Sequence, residues 1–151
     1  MDKKILGTNA VVQIAFVVHD IEKTSQDFAD FLGVEKPEWI LTGTREEAET
    51  EYRGKPTEAR SKLAFFSIGE NIQLELIEPD NEPSTWREDL DKNGEGFHHI
   101  AFIVKGMKEK ITLLEKNGME LIQKGEYTGG RYAYVDATST LKTVLELLEN
   151  D

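Results

Sequence analysis

The chain has no cysteine among its 151 residues, which excludes disulfides, thiolate metal ligands and a cysteine nucleophile. Any metal it holds must be bound through nitrogen and oxygen. Positive charge is also scarce: 18 Lys and Arg stand against 29 Asp and Glu, a net charge of −11 that works against binding a phosphate backbone or an anionic membrane surface. Neither nucleic acid nor membrane is an expected partner. No apolar run approaches the roughly 18 residues of a membrane span. The opening Met1-Asp2-Lys3-Lys4 leads into Ile5-Leu6-Gly7-Thr8-Asn9 rather than into the apolar core of a secretory signal, so a cytoplasmic location is expected. The length fits one domain, 1–151, able to bury a sizeable core.

What is present is a repetition. Val12-Gln13-Ile14-Ala15-Phe16-Val17-Val18 is echoed by His98-His99-Ile100-Ala101-Phe102-Ile103-Val104, and Leu74-Glu75-Leu76-Ile77-Glu78 by Leu145-Glu146-Leu147-Leu148-Glu149. Each echo carries one potential metal ligand at the same place in its run, Gln13 against His99 and Glu75 against Glu146. The offsets are 99 − 13 = 86 and 146 − 75 = 71, so the second copy is 86 − 71 = 15 residues shorter between its marks. That excess matches a polar stretch from Thr42 to Ser61, a candidate lid or substrate loop.

Pattern along the chain gives the elements. Residues 10–18 read as a buried strand; Asp20 caps a helix with an apolar stripe of Ile21, Phe28, Phe31 and Leu32, stopped at Gly33. Strands follow at 38–42, 61–68 and 72–78, the last two joined by a Gly69-Glu70-Asn71 turn. A connector over 79–96 contains Pro79, Pro83 and a short helix capped by Ser84 that carries Trp86 and Leu90. The order then restarts: a strand at 98–104, a helix with Met107, Ile111 and Leu114 that ends at Gly118, and strands at 119–124, 131–135 and 143–149, with Gly129-Gly130 as a turn. The expected fold is α+β, two tandem βαβββ modules at about 9–79 and 96–150 joined by a connector at about 80–95, whose sheets enclose a shared metal-binding cavity.

Strand alternation places Glu75 with Gln73 and Ile77 on one face, and Glu146 with Val144 and Leu148, while Leu74, Leu76, Leu145 and Leu147 point the other way. Carboxylates flanked by such apolar neighbours cost several kcal/mol if left unpaired. With Gln13 and His99 they make a neutralising nitrogen and oxygen set for one divalent ion, with open coordination left for substrate or water. His98 falls on the opposite face by alternation and reads as a packing histidine; His19 reads as a helix-start or surface residue.

The duplication, with ligands on the first and last strand of each module, resembles the vicinal oxygen chelate superfamily over about Val11 to Glu149. That group includes glyoxalase I, methylmalonyl-CoA epimerase, extradiol dioxygenases and fosfomycin-resistance proteins. The stretch Leu74-Glu75-Leu76-Ile77-Glu78-Pro79 followed by Gly94-Glu95-Gly96-Phe97-His98-His99-Ile100-Ala101-Phe102 is similar to the epimerase pattern in residues and spacing. The resemblance puts Gln13, Glu75, His99 and Glu146 in the four ligand positions and implies a homodimer. There are departures. Gln13 stands where epimerases usually carry His, and the Gln-Glu-His-Glu set is that of some glyoxalase I enzymes. The epimerase loop with its catalytic Glu is not recognisable in Tyr52 to Arg60, and Thr138 to Thr143 replaces a glycine-containing turn.

Such a site supports proton removal beside a carbonyl or thioester. By the resemblance Glu146 is the base, and Glu75 on the other side would make the reaction an epimerisation or isomerisation. Arg53, Lys55, Arg60 and Arg131 are candidate partners for an anionic group of a small-molecule substrate such as an acyl-CoA. The rival readings are a glyoxalase-type lyase acting on a hemithioacetal and a non-catalytic protein that sequesters a small molecule in the same cavity. A dioxygenase fits less well, because its iron site wants two His and one carboxylate. Zn, Co, Ni, Mn and Mg all accept the set offered here.

Overall fold

The Val-rich run after Ala10 becomes β1 (Gln13–Val17) in the computed structural model, which describes residues 5–151; Met1-Asp2-Lys3-Lys4, considered above as a leader, lie outside the described residues. Asp20 starts α1 (Ile21–Leu32) by accepting from the Lys23 backbone N–H, and Gly33 ends it at φ 70°, a left-handed conformation that costs glycine no Cβ clash. The helix buries Ile21, Ser25 and Ala29. Phe31, expected in the stripe, is 83% exposed because it falls beyond the edge of the face that Ile21, Ser25, Phe28 and Ala29 define.

The chain continues through β2 (Ile40–Leu41), α2 (Arg45–Ala48), β3 (Glu51–Tyr52), β4 (Lys55–Pro56), β5 (Ser61–Ile68) and β6 (Ile72–Pro79). After α3 (Thr85–Asn93), capped by Ser84, come β7 (Gly96–Ile103), α4 (Met107–Lys116), β8 (Glu120–Tyr127), β9 (Gly130–Ala137), α5 (Thr138–Leu141) and β10 (Thr143–Asn150). Two segments differ from expectation. The strand at 38–42 shrinks to two residues, and the polar stretch from Thr42 to Ser61 is folded: α2 opens on a capping box between Thr44 and Glu47, and β3 and β4 form a small hairpin.

All ten strands join one sheet in the order β2-β5-β6-β1-β7-β10-β9-β8-β3-β4. The first strands of the two modules, β1 and β7, pair antiparallel at its centre, and each pairs in parallel with the last strand of its own module, β6 and β10. The hairpin inserted in the first module crosses to the second and adds to its edge, Glu51 opposite Lys124. The sheet curls into a half-barrel, the tandem βαβββ architecture, with α2 spanning the gap between β2 and β3.

The convex face is covered twice over. Leu74, Leu76, Ala64 and Phe66 pack against Ile21 and Ala29 of α1; Leu145, Leu147, Ala133 and Val135 pack against Met107 and Leu114 of α4. The floor of the concave face receives, among the described helices, α3, whose Trp86 and Leu90 bury Ala15, Val17, Ile77 and Tyr134, while α2 sits at its rim. One helix on a curled face leaves the rest of that concavity open. No helix among the described residues is long and apolar enough to cross a membrane.

Candidate metal centre

Register brings the four candidate ligands together in two short rows across the concave floor. In one row Glu75, Ala15 and His99 are neighbours on β6, β1 and β7; in the other Gln13, Ala101 and Glu146 are neighbours on β1, β7 and β10. Each row has an alanine at its centre, and both alanines are fully buried. Methyl groups there leave the space into which the longer ligand side chains lean.

His99 Nε2 lies 2.7 Å from Glu146 Oε2, 3.0 Å from Gln13 Oε1 and 3.7 Å from Glu75 Oε1. The imidazole and the two carboxylates each present one ligand atom within 4.8 Å of the others. Gln13 is oriented by its neighbour Gln73, whose Oε1 accepts from Gln13 Nε2 at 2.7 Å and so turns the Gln13 oxygen toward His99. The close approach of Glu146 to His99 lacks the direction of a hydrogen bond, and Glu75 Oε1 and Glu146 Oε2 are buried carboxylate oxygens without any hydrogen-bond partner. Oxygen atoms so placed fit a divalent cation: it would satisfy both orphans, and the imidazole nitrogen and amide oxygen complete a borderline to hard donor set.

Electrostatics agree with that fit. Burial pushes the Glu146 carboxyl up to about 8, and burial with the Glu146 charge beside it drives Glu75 well above the ordinary carboxylate range. Burial likewise lowers His99 to about 3 and takes His98 far below the usual imidazole value, so both rings are neutral. A neutral imidazole is the form that ligates metal.

His98 corrects the expectation drawn from alternation. Ala15 pairs with His99 but Phe16 pairs with Phe97, so β7 bulges at His98 and both imidazoles enter the concave side, with ring centroids 5.0 Å apart. A bulge adds one residue to the strand and cancels the period of two at that point. His19 is exposed at the start of α1, as expected.

Above the ligands lies a cavity of about 710 Å³. Trp86, Tyr132 and Tyr134 form one wall, Leu63 and Phe65 another, and Thr42 to Thr50 with the β8–β9 turn frame the mouth. Trp86 Nε1 donates to the Tyr134 hydroxyl at 3.0 Å, a buried pair unmarked in the sequence because Trp86 reads there as a plain helix residue. The lining includes Glu47, Glu75, Glu126 and Glu146 and, among the described residues, no Lys or Arg. None of the four cations considered above reaches it. Arg53 is drawn to Glu88 of α3 at 2.9 Å, Arg60 donates to the Thr42 carbonyl at 2.8 Å, Arg131 is held by Glu149, Glu126 and Asp151, and Lys55 is exposed on β4. In a chain this acidic, surface carboxylates outcompete the cavity for Arg53 and Arg131, and a backbone carbonyl holds Arg60.

Comparison with known proteins places the chain. Residues 12–135 match the family model of the glyoxalase/bleomycin resistance protein/dioxygenase superfamily, and the chain belongs to that superfamily. The uncharacterized protein YqjC of Bacillus subtilis is 33% identical over 95 residues, which cover 61% of this chain and 67% of that one. Among solved structures, methylmalonyl-CoA epimerase from Mycobacterium tuberculosis superposes with a TM-score of 0.61 at 20% identity, covering 100% of this chain and 93% of that one. A hypothetical protein from Bacillus halodurans gives 0.65 at 24%, covering 95% and 96%. A substituted Streptomyces coelicolor methylmalonyl-CoA epimerase in complex with 2-nitronate-propionyl-CoA gives 0.62 at 20%, covering 94% of each. At these identities the likeness is one of fold.

Proposed function

We propose that the protein is a metal-dependent epimerase or isomerase that moves a proton on the carbon beside a carbonyl or thioester, with an acyl-CoA as the substrate class. The observation that carries this reading is the convergence of Glu75, His99 and Glu146 in a buried cavity, two of their carboxylate oxygens lacking any other partner. Gln13, Glu75, His99 and Glu146 would hold one divalent ion, which when bound supplies Lewis-acid polarisation of the substrate carbonyl. The cavity has no Lys or Arg among the described residues to do that instead.

The remaining work falls to the chain. Glu146 would be the general base: its carboxylate lines the cavity with one oxygen lacking any hydrogen-bond partner, and burial makes that carboxyl more basic than an ordinary one. Glu75, across His99 from Glu146 in strand order, would serve the opposite face: one carboxyl takes the α-proton from one side while the other, starting protonated, gives its proton to the other, with no net change. Trp86, Tyr132 and Tyr134 exclude water around the reacting carbon, and the phosphates of a CoA carrier would stay outside the cation-free cavity. Family membership also supports a homodimer, which sedimentation of the purified protein would test.

Metal-loaded protein incubated with methylmalonyl-CoA in deuterated water is expected to exchange the α-proton and interconvert the epimers, and chelation is expected to stop both. Absence of exchange in protein verified to contain metal would sink the epimerase reading. The Gln-Glu-His-Glu set favours one alternative, a lyase of the glyoxalase I kind, which turnover of methylglyoxal with a thiol would promote. Protein that binds a small molecule in the cavity without turnover, and is indifferent to Glu146→Gln, would be a sequestration protein.

A further inference from the structure

The bulge in β7 does more than turn a second histidine inward. His98 Nδ1 and His99 Nδ1 lie 2.7 Å apart, and the far nitrogen of His98, Nε2, lies 3.1 Å from Thr85 Oγ1 at the start of α3. Thr85 is itself fixed: its backbone N–H donates to Gln123 Oε1 at 2.8 Å, and Gln123 Nε2 donates to the Tyr132 hydroxyl at 3.0 Å. Gln123 sits at a second irregularity, the register shift of β8 against β9. His98, His99, Thr85 and Gln123 are all buried, so this chain of contacts is closed to water.

Two neutral imidazoles that face each other through Nδ1 share one hydrogen, which leaves two arrangements. In the first, His98 Nδ1 donates, His99 Nδ1 accepts, and the hydrogen of His99 sits on Nε2, facing the Gln13 oxygen. In the second, His99 Nδ1 donates to His98 Nδ1, and His98 Nε2 donates in turn to Thr85 Oγ1. His99 Nε2 then offers its lone pair to the point where the oxygens of Gln13, Glu75 and Glu146 converge. Only the second arrangement accepts a cation.

We propose that His98 is a positioning residue for the metal centre: backed by Thr85, it takes the Nδ1 hydrogen of His99 and so sets that ring in the tautomer that ligates through Nε2. The inference rests on the metal-centre reading above. It has a structural corollary. The partner of a ligating histidine is commonly a carboxylate, a backbone carbonyl or water, each a local acceptor. Here it is a second imidazole tied to the connector helix, so the placement of α3 bears on how well β7 presents its ligand.

The test is a zinc titration of metal-free wild type, His98→Leu, His98→Gln and Thr85→Val against a competing chromophoric chelator, with thermal unfolding of each metal-free protein to check the fold. His98→Leu is expected to lose about 10- to 100-fold in zinc affinity. His98→Gln, whose amide oxygen can accept from His99 Nδ1, is expected to recover most of that loss, and Thr85→Val to show a smaller one. Nitrogen NMR of the zinc form is expected to find the His99 hydrogen on Nδ1. Wild-type affinity in His98→Leu, or a His98→Gln protein as weak as His98→Leu while equally folded, would overturn the proposal. If His98→Leu does not fold, His98→Gln and Thr85→Val decide it: wild-type affinity in Thr85→Val together with a hydrogen on His99 Nε2 in the zinc form overturns it. Wild-type protein that binds neither zinc nor cobalt would remove the metal-centre reading, and this proposal with it.

Discussion

The two modules contribute to one centre by unequal means. Their carboxylates are near equivalents: Glu75 and Glu146 are 6% and 5% exposed, each on the last strand of its module, and each two strands from a candidate ligand supplied by the other copy. Their second ligands are not. Gln13 is steadied by an amide on the adjacent strand, Gln73, whereas His99 is steadied by a neighbour in its own strand that only a bulge could bring inward. Duplication thus explains the carboxylates, and the departures from it explain how the candidate nitrogen ligand is held.

Neutralising each carboxylate in turn should have the largest effect. Glu146→Gln is expected to cost about 10²- to 10⁴-fold in α-proton exchange by metal-loaded protein, the range for loss of a general base. In an epimerase Glu75→Gln should suppress epimer interconversion more than exchange, since exchange needs one face only. Equal loss of both activities in the two variants would mean that the carboxylates act as ligands alone.

Next in size is the pH dependence of metal-free stability, read by denaturant unfolding. Glu146 is raised in the folded protein from its ordinary 4.5 to about 8, so its contribution is full below about 4.5 and is lost as pH rises toward 8. His99 is lowered from 6.5 to about 3, so its contribution is lost as pH falls from 6.5 toward 3. These two groups together give a plateau between about 4.5 and 6.5. Metal-free Glu146→Gln should show a shallower alkaline decline, with buried Glu75 left to supply the rest, and gain on wild type by on the order of a few kcal/mol as pH rises to 8. A flat difference between the two proteins across that range would contradict the burial argument.

A smaller effect should sharpen the symmetry of the floor. Ala15 and Ala101 centre the two ligand rows, so Ala15→Val and Ala101→Val are expected to destabilise by about 1–3 kcal/mol each and to weaken zinc binding comparably. A large asymmetry in zinc affinity would show that one row tolerates displacement and the other does not. Thermal unfolding and the same chelator titration read both quantities.

Much of this was legible along the chain. The alternation around Leu74 to Ile77 and Leu145 to Leu148 is local, and the core contacts of Leu76 and Leu147 follow it directly. The caps Asp20 and Ser84 are local too, and each accepts its backbone N–H as such residues do. What failed failed at irregularities. Alternation puts His98 on the wrong face because a bulge depends on the partner strand, about 80 residues away in sequence. The segment from Thr42 to Ser61 reads as polar loop because β3 is stabilised by pairing with β8, a contact that no short window contains.

Residue identity, strand parity and duplication by themselves determined the fold class, the inward direction of Gln13, Glu75, His99 and Glu146, and the absence of thiolate chemistry. Three further matters arose only in the tertiary structure: that alanines leave room between the candidate ligands, that α3 brings Thr85 to His98, and that surface carboxylates draw Arg53 and Arg131 from the cavity. The physical reason is the same for all three. Side-chain direction along a strand is set by its own backbone, but hydrogen bonds, free space and counter-ions are shared between elements, and their placement exists only once the sheet has curled.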